Sequence, residues 1–470
     1  MSFLTRRIAI DREIGHVPGH GLKPTLGWPH LVALGVGAIV GTGIYTLTGV
    51  GAGMAGPGVL LSFAIAGAVC AAAALCYAEM ATLMPRAGSA YTYSYAVMGE
   101  SVAWIVGWSL ILEYTLVCAA VSVGWANHAS VFVRDVLPGF PEALLNGPHV
   151  PGGIVNLPAV VIALAVGGLL SLGTRESATV NFILVIVKLT ALAAFVIIAL
   201  PGFNAAHFEP FSPNGWSSVG AEGVKLGILP AASLMFFAFY GFDAISTAAE
   251  ETKRPERDLT IGIVGSMALC TLIYMVVAAA AIGASPPAEF SKSGEPLVYV
   301  MQSLGHDLVA RVVAGAAVVA LPTVIMVFMY GQSRVFFAMA RDGMLPKVLS
   351  KVSAKSGTPV LVTLLTAAIA AVLGGFLTLK EIAELANAGT LAAFVAVALS
   401  MMLLRLREPA RPRRFKTPLW WLVGPLAIVG CGYLFWNLPV KTQTYFLYWN
   451  LFGVLVYLVY GRVKSNLAKL

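Results

Sequence analysis

The sequence predicts an all-α polytopic membrane protein of twelve transmembrane helices, with the first and sixth broken at mid-membrane. Three observations predict it. Of 470 residues, 58% are hydrophobic and only 11% charged, against roughly 45–50% and 25% in a soluble domain, and mean hydropathy is +0.84. The apolar residues fall in long unbroken runs rather than alternating pairs, the pattern of helices crossing a bilayer and not of a barrel. Two of these runs carry glycine at their centres. So few charges cannot cover a globule in water, which excludes a cytosolic enzyme, a disordered chain and a secreted disulfide scaffold.

A spanning helix needs roughly 20 mostly apolar residues. Twelve runs approach that scale: 28–52, 57–84, 101–133, 157–173, 179–201, 225–250, 257–284, 308–340, 360–377, 381–405, 418–438 and 443–461. They group as helices 1–5 in 28–201, helices 6–10 in 225–405, and helices 11 and 12 in 418–461. Residues 1–27 form a polar, basic N-terminal segment without the apolar core of a cleavable signal, and 462–470 a short tail. The segment 85–100 (PRAGSAYTYSYAVMGE) is too short and polar to span. Its Tyr91, Tyr93 and Tyr95 suit an interface, so it is read as a half-helix lying on the cytoplasmic surface.

Lys and Arg set the orientation. With the N-terminus inside, 23 of the 30 fall on the cytoplasmic side, six fall outside and Lys188 lies within a span. Both termini are therefore expected in the cytoplasm. The net charge of +8 follows from this asymmetry and does not require nucleic acid as a partner.

The first span reads LVALGVGAIVGTGIYTLTG, with Gly35, Gly37, Gly41 and Gly43 inside nine residues. Each costs a helix about 1 kcal/mol relative to Ala. Alone, the cluster fits close helix packing as well as unwinding around Val40–Gly43. The sixth span, LPAASLMFFAFYGFDAISTAAEE, has Gly241 at its centre. Gly41 and Gly241 stand 200 residues apart, about five spans, so two such halves insert with opposite orientation. Paired interruptions in inverted halves point to a transporter binding site. A broken helix leaves free N–H groups at the start of its second half and free C=O groups at the end of its first. Amides near Thr42 and Gly43 are expected to hold a carboxylate. Carbonyls near Ile39, with Phe237, Ala238 and Tyr240, are expected to hold an ammonium. The two together make a receptor for an α-amino acid.

Ionisable residues inside spans are functional candidates. Lys188, deep in the fifth, has two readings of equal weight: a proton site, because burial disfavours its charge, or a permanently charged pin on unwound carbonyls of the first span. Glu113 is either a proton relay or an internal carboxylic acid bonded to a neighbouring helix. Asp243 is read as the cap of the second half-helix of span six. Glu79, Glu250 and Glu251 are expected to meet arginines at the cytoplasmic ends. The five cysteines, Cys70, Cys76, Cys118, Cys270 and Cys431, read as small core residues. No metal or other cofactor is expected, because no His or Cys pair has ligand spacing on a span.

With GVGAIVGTGIYTLTG in the first span, GSAYTYSYA after the second, LILEYT in the third, GFDAISTAAEETKRPERDLTIGI across the sixth and seventh and YGQSRVFFAMARDGMLP in the eighth, the chain resembles the amino acid–polyamine–organocation superfamily. Within it, the chain is similar to bacterial members of the cationic amino acid transporter family. The resemblance implies a LeuT-like core of helices 1–5 and 6–10 as inverted repeats, with helices 11 and 12 outside it, in a bacterial cytoplasmic membrane. It implies carboxylate contacts at Gly41, Thr42 and Gly43, amine contacts at Ile39, Phe237, Ala238 and Tyr240, and a Lys188 that stands where a sodium ion sits in other relatives.

Phe328 and Met329 of the eighth span fall near the expected side-chain pocket. An apolar wall gives a cationic side chain no partner, so small or apolar amino acids are expected over arginine, unless Phe328 is simple packing. The leading function is a proton-linked permease for L-amino acids working by alternating access. An arginine or lysine carrier or an exchanger of the same fold stands second, and a non-transporting amino acid sensor is the alternative from another class. A channel lacks its polar rings and an enzyme its nucleophile–base pair. Helices 11 and 12 leave lipid-facing surface on which a small single-helix membrane protein can dock.

Overall fold

The structure is a computed structural model and describes residues 6–10, 24–220, 224–353 and 356–468. It is mostly helical. In chain order the helices are α1 (Trp28–Ile39), α2 (Thr48–Ala55), α3 (Val59–Leu83), α4 (Ala90–Val97), α5 (Glu100–Val136), α6 (Leu157–Leu172), α7 (Thr174–Ala199), α8 (Ile228–Met235), α9 (Phe242–Thr247), α10 (Pro255–Ala284), α11 (Pro287–Phe290), α12 (Pro296–Ser303), α13 (Asp307–Ala320), α14 (Pro322–Arg341), α15 (Val360–Phe376), α16 (Leu379–Arg407), α17 (Trp420–Asn437) and α18 (Val440–Val456). A two-residue hairpin, β1 (Ser218–Val219) against β2 (Lys225–Leu226), precedes α8.

The predicted runs lie mostly in helix, the run 225–250 beginning instead in a strand, Lys225–Leu226. Among the described residues eight helical stretches are long and apolar enough to cross a membrane, Trp28–Leu83 counting as one, and Leu157–Leu172 and Val360–Phe376 are shorter apolar helices. The starts follow local chemistry. Pro stands in the first turn of α1, α6, α10, α12 and α14, where its missing N–H costs nothing. Thr378 accepts from Glu381 N at 3.2 Å and donates to its carboxylate at 2.9 Å, a reciprocal cap on α16.

The 37-residue α5 is the central pillar, buried along most of its length and packed by α4, α6, α14, α15 and α16. Outer helices expose apolar side chains instead: Ile183, Ile186 and Ile197 on α7, and Trp421, Leu426, Val429 and Trp436 on α17. Such a belt is stable only against lipid.

One expectation is corrected. The segment 85–100 does not lie on a surface: all of α4 is buried, Tyr91, Tyr93 and Tyr95 included. Its hydroxyls are used inside the protein, Tyr91 donating to Asp342 at 2.9 Å and Tyr95 to Glu100 at 3.1 Å, while Tyr77 supplies a ring neighbour to Tyr93 and itself meets Phe394. The run 308–340 is one apolar stretch, Asp307–Arg341, as expected, its ladder interrupted between α13 and α14 because Pro322 has no N–H. Thr323 Oγ1 instead donates to Ala320 O at 2.7 Å.

Arg6 and Ser465 meet at one end of the bundle. There Glu100 accepts from Tyr457 at 3.0 Å and Ser465 at 2.7 Å, and its N–H donates to Arg6 O at 2.8 Å. The acidic residues expected to meet arginines at this end do so. Glu79 is held by Arg405 at 2.7 Å and Arg413 at 3.0 Å, Glu251 by Arg334 at 2.8 Å, and Glu250 by Arg341 at 3.2 Å. Arg334 also lies 3.8 Å over the Tyr330 ring. At the opposite end His128 Nδ1 of α5 stands 2.9 Å from Glu295 Oε1, just ahead of α12.

Candidate functional site

Both predicted breaks are present. α1 ends at Ile39, and Val40 turns to extended backbone at φ −74°, ψ 94°. A π-helical turn, Gly43–Leu47, then leads into α2. In the second break α8 passes through a 3-10 turn at Phe236–Ala238 and stops, and α9 begins after Gly241. Gly241 has φ +125°, a conformation that L side chains rarely adopt.

The two breaks touch. A Cβ on Gly43 would strike both the Cβ and the Cα of Ala238, and one on Gly241 would lie 2.7 Å from Ala38 Cβ and 3.2 Å from Ile39 N. The glycines are thus needed for close approach of two unwound backbones. Among the described residues the N–H groups of Gly41, Thr42 and Gly43 have no backbone acceptor, and the carbonyls of Phe237 and Ala238 receive no backbone N–H. Gly41 N–H has the Tyr274 hydroxyl oxygen beside it; buried backbone groups are rarely left unpaired, so the remaining donors and acceptors need a ligand or water to complete them.

Ala38, Ile39, Gly41, Thr42, Gly43, Val117, Val121, Phe237, Tyr240, Val324 and Phe328 enclose a cavity of about 10 Å³ between the breaks. That is the space of one water. A larger ligand enters only when these walls part. Phe328 forms the wall as expected, its ring edge-on to Tyr114 at 5.3 Å and to Tyr240 at 6.0 Å. Met329 does not. One residue on, it turns away from the cavity, with its sulfur beside Gly167 of α6, because successive helical residues point about 100° apart. Ala238 contributes the backbone seam against Gly43 and no wall. The Ile39 carbonyl is already half used: it accepts the Tyr274 hydroxyl at 2.5 Å, leaving one lone pair for an ammonium.

Lys188, fully buried, donates to Gly37 O at 2.8 Å, Val40 O at 2.8 Å and Thr323 Oγ1 at 2.9 Å. Its three N–H donors are all satisfied, and two of the acceptors are carbonyls that the first break has released. Asp243 accepts from Gly241 N at 3.0 Å and from the Tyr114 hydroxyl at 2.5 Å, the capping geometry expected of it. Glu113 is also fully buried, but neither of its oxygens has a hydrogen-bond partner among the described residues. Cys70, Cys76, Cys118, Cys270 and Cys431 are free and buried.

Sequence reasoning missed Val117, Val121 and Val324. The pairs Val117/Val121 and Val324/Phe328 have i,i+4 spacing, but in helices apolar all round that spacing does not separate a cavity-facing stripe from a lipid-facing one. It also missed Gly124, where a side chain would collide with Thr42.

The amino acid permease family model matches residues 26–460. The chain is 44% identical over 466 residues to a branched-chain amino acid permease, BcaP, of Bacillus subtilis, covering 98% of both chains. It is 36% identical to the methylthioribose transporter of the same organism over the full length of both. Against cationic amino acid transporter 2, vacuolar, of Arabidopsis thaliana it is 38% identical over 86% of this chain and 64% of that one. These relatives are named permeases and transporters, not enzymes.

Proposed function

The chain belongs to the amino acid permease family, and on that premise we propose that it is a secondary transporter taking up small or apolar L-amino acids, coupled to protons, by alternating access. One observation carries the reading: amides at Thr42 and Gly43 without a backbone acceptor stand at one break, carbonyls at Phe237 and Ala238 that receive no backbone N–H stand at the other, and a small cavity lies between. A zwitterion completes both sets at once, with its carboxylate on the amides and its ammonium on the carbonyls.

The side chain of the substrate then meets Ile39, Val117, Val121, Val324 and Phe328. None of the residues lining the cavity carries a carboxylate, so a guanidinium or ammonium side chain is desolvated there without a partner. The relative named a branched-chain amino acid permease agrees with such a wall. Lys188, with two donors on carbonyls of the first break and the third on Thr323 of α14, acts as the charged pin. Glu113, buried beside the Thr390 hydroxyl, acts as the proton carrier. The architecture is twelve helices, with 1–5 and 6–10 as inverted repeats. It lies in the bacterial cytoplasmic membrane, both termini inside. The helix pairs around the two breaks rock against a scaffold built on α5, α6, α14 and α15.

The test is uptake of radiolabelled leucine, alanine and arginine into proteoliposomes with and without an acid exterior. Saturable leucine or alanine uptake that rises with the pH gradient is expected, with arginine excluded. Equal uptake of arginine and alanine overturns the substrate preference. Ligand-induced thermal stabilisation with neither uptake nor exchange makes the protein a sensor instead.

A further inference from the structure

Glu113 lies close to a second space in the protein. A cavity of about 660 Å³ opens toward the end of the bundle opposite Arg6 and Ser465, between α8, α16 and the α17–α18 junction, and Glu384 and Leu116 are among its lining residues. Leu116 is one helical turn from Glu113 on α5, about 4.5 Å along the axis at 1.5 Å per residue.

α16 supplies a polar line between the two. Glu384, Asn387 and Thr390 follow at three-residue intervals, adjacent on the helix surface, and span about 9 Å of its length. Glu384 is at the cavity. Asn387 is fully buried, its Nδ2 donating to Ser233 O at 2.9 Å and its Oδ1 without a partner. Thr390, also buried, donates to Ala386 O at 3.2 Å and keeps lone pairs free. The α16 backbone then presses on Glu113 itself: a Cβ on Gly389 would lie 3.2 Å from Glu113 Cβ.

Groups with charge or titratable protons surround both ends. Asp243 of α9, Tyr77 of α3, Tyr114 of α5 and Tyr240 of the second break are electrostatic neighbours of Glu113. Asp243 accepts from Gly241 N–H and the Tyr114 hydroxyl, whereas the donor beside Glu113 is the Thr390 hydroxyl of α16. Around Glu384 stand Lys380 at 3.9 Å, the Thr442 hydroxyl at 3.5 Å and the Glu381–Lys441 pair at 3.1 Å.

We propose that Glu384 is the mouth of a proton route that runs past Asn387 and Thr390 to Glu113. A hydronium ion in the cavity gives its proton to a Glu384 oxygen. Water hydrogen-bonded to Asn387 Oδ1 and the Thr390 hydroxyl passes a proton on to a Glu113 oxygen. Glu384 regains its charge, Glu113 becomes a neutral acid, and only O–H bonds are made and broken. The route rests on the reading of this chain as a proton-linked permease with Glu113 as the carrier.

Glu384→Gln, Asn387→Leu and Glu113→Gln are compared in proteoliposomes, by leucine counterflow without a pH gradient and by uptake driven by an acid exterior. Glu384→Gln and Asn387→Leu are expected to keep wild-type counterflow and to lose about tenfold or more of the pH-driven rate. Wild-type pH-driven uptake by Glu384→Gln, with Glu113→Gln inactive in that assay, overturns the route and leaves Glu113 as carrier. Normal pH-driven uptake by Glu113→Gln, or none by the wild type, overturns the underlying reading and the route with it. Counterflow lost in step with pH-driven uptake in both α16 variants assigns these residues a structural role and also overturns the route.

Discussion

Gly43→Ala is the most direct perturbation of the seam between the two breaks. Gly43 begins the π-helical turn after the first break, and an added Cβ would run into the Cβ and the Cα of Ala238. Propensity alone favours Ala over Gly in a helix by up to about 1 kcal/mol, so the neighbour decides the sign. One of the two colliding atoms is backbone and has no rotamer to move to. Overpacking of this kind costs about 1–3 kcal/mol, and relief requires the breaks to separate. If that cost falls on the binding-competent arrangement, substrate affinity drops about 5- to 150-fold. Ala238→Gly in the same background restores only part of it, because the main chain there still obstructs the new methyl group. The control is Gly432→Ala on α17, where a Cβ meets nothing within 4 Å. Equilibrium binding of radiolabelled leucine and the Tm of purified protein give both readouts. Wild-type leucine affinity in Gly43→Ala refutes the claim that the breaks grip substrate between them.

Other expectations follow from single interactions. Lys188→Met removes the charged donor from Gly37 O and Val40 O, and counterflow and pH-driven uptake are expected to fall together; loss of pH-driven uptake alone, with counterflow intact, makes Lys188 a proton site and not a pin. Phe328→Ala takes away the cavity wall and is expected to weaken leucine binding by about 1–3 kcal/mol, read as the concentration of unlabelled leucine that halves tracer binding. Arg334→Gln leaves Glu251 buried without its 2.8 Å partner, and about 3–5 kcal/mol of stability is expected to go, seen as a drop in Tm that Glu251→Gln in the same chain partly reverses.

Much of this was legible in the sequence, for reasons particular to each residue. Gly241 was readable because a glycine at the centre of an apolar span marks a place where the helix can stop, and its φ of +125° is one that a side chain would resist. Lys188 was readable because an ammonium in an apolar run must find oxygen atoms, and the nearest break supplies carbonyls. Other features needed coordinates. Met329 and Phe328 differ by one step of helical rotation, and only packing fixes which of them meets the cavity. Tyr91 and Tyr95 suit a lipid interface and a buried hydrogen-bonded layer equally well until Asp342 and Glu100 are placed beside them. Tyr274 gave no hint that it caps the Ile39 carbonyl, since a lone tyrosine in an apolar run is ordinary. The size of the central hollow, that of one water, also needed coordinates.

That last dimension limits what stands between the breaks. A hollow of about 10 Å³ holds at most one molecule of solvent, so the pocket between the breaks is, among the described residues, too small to hold a file of water or a hydrated ion.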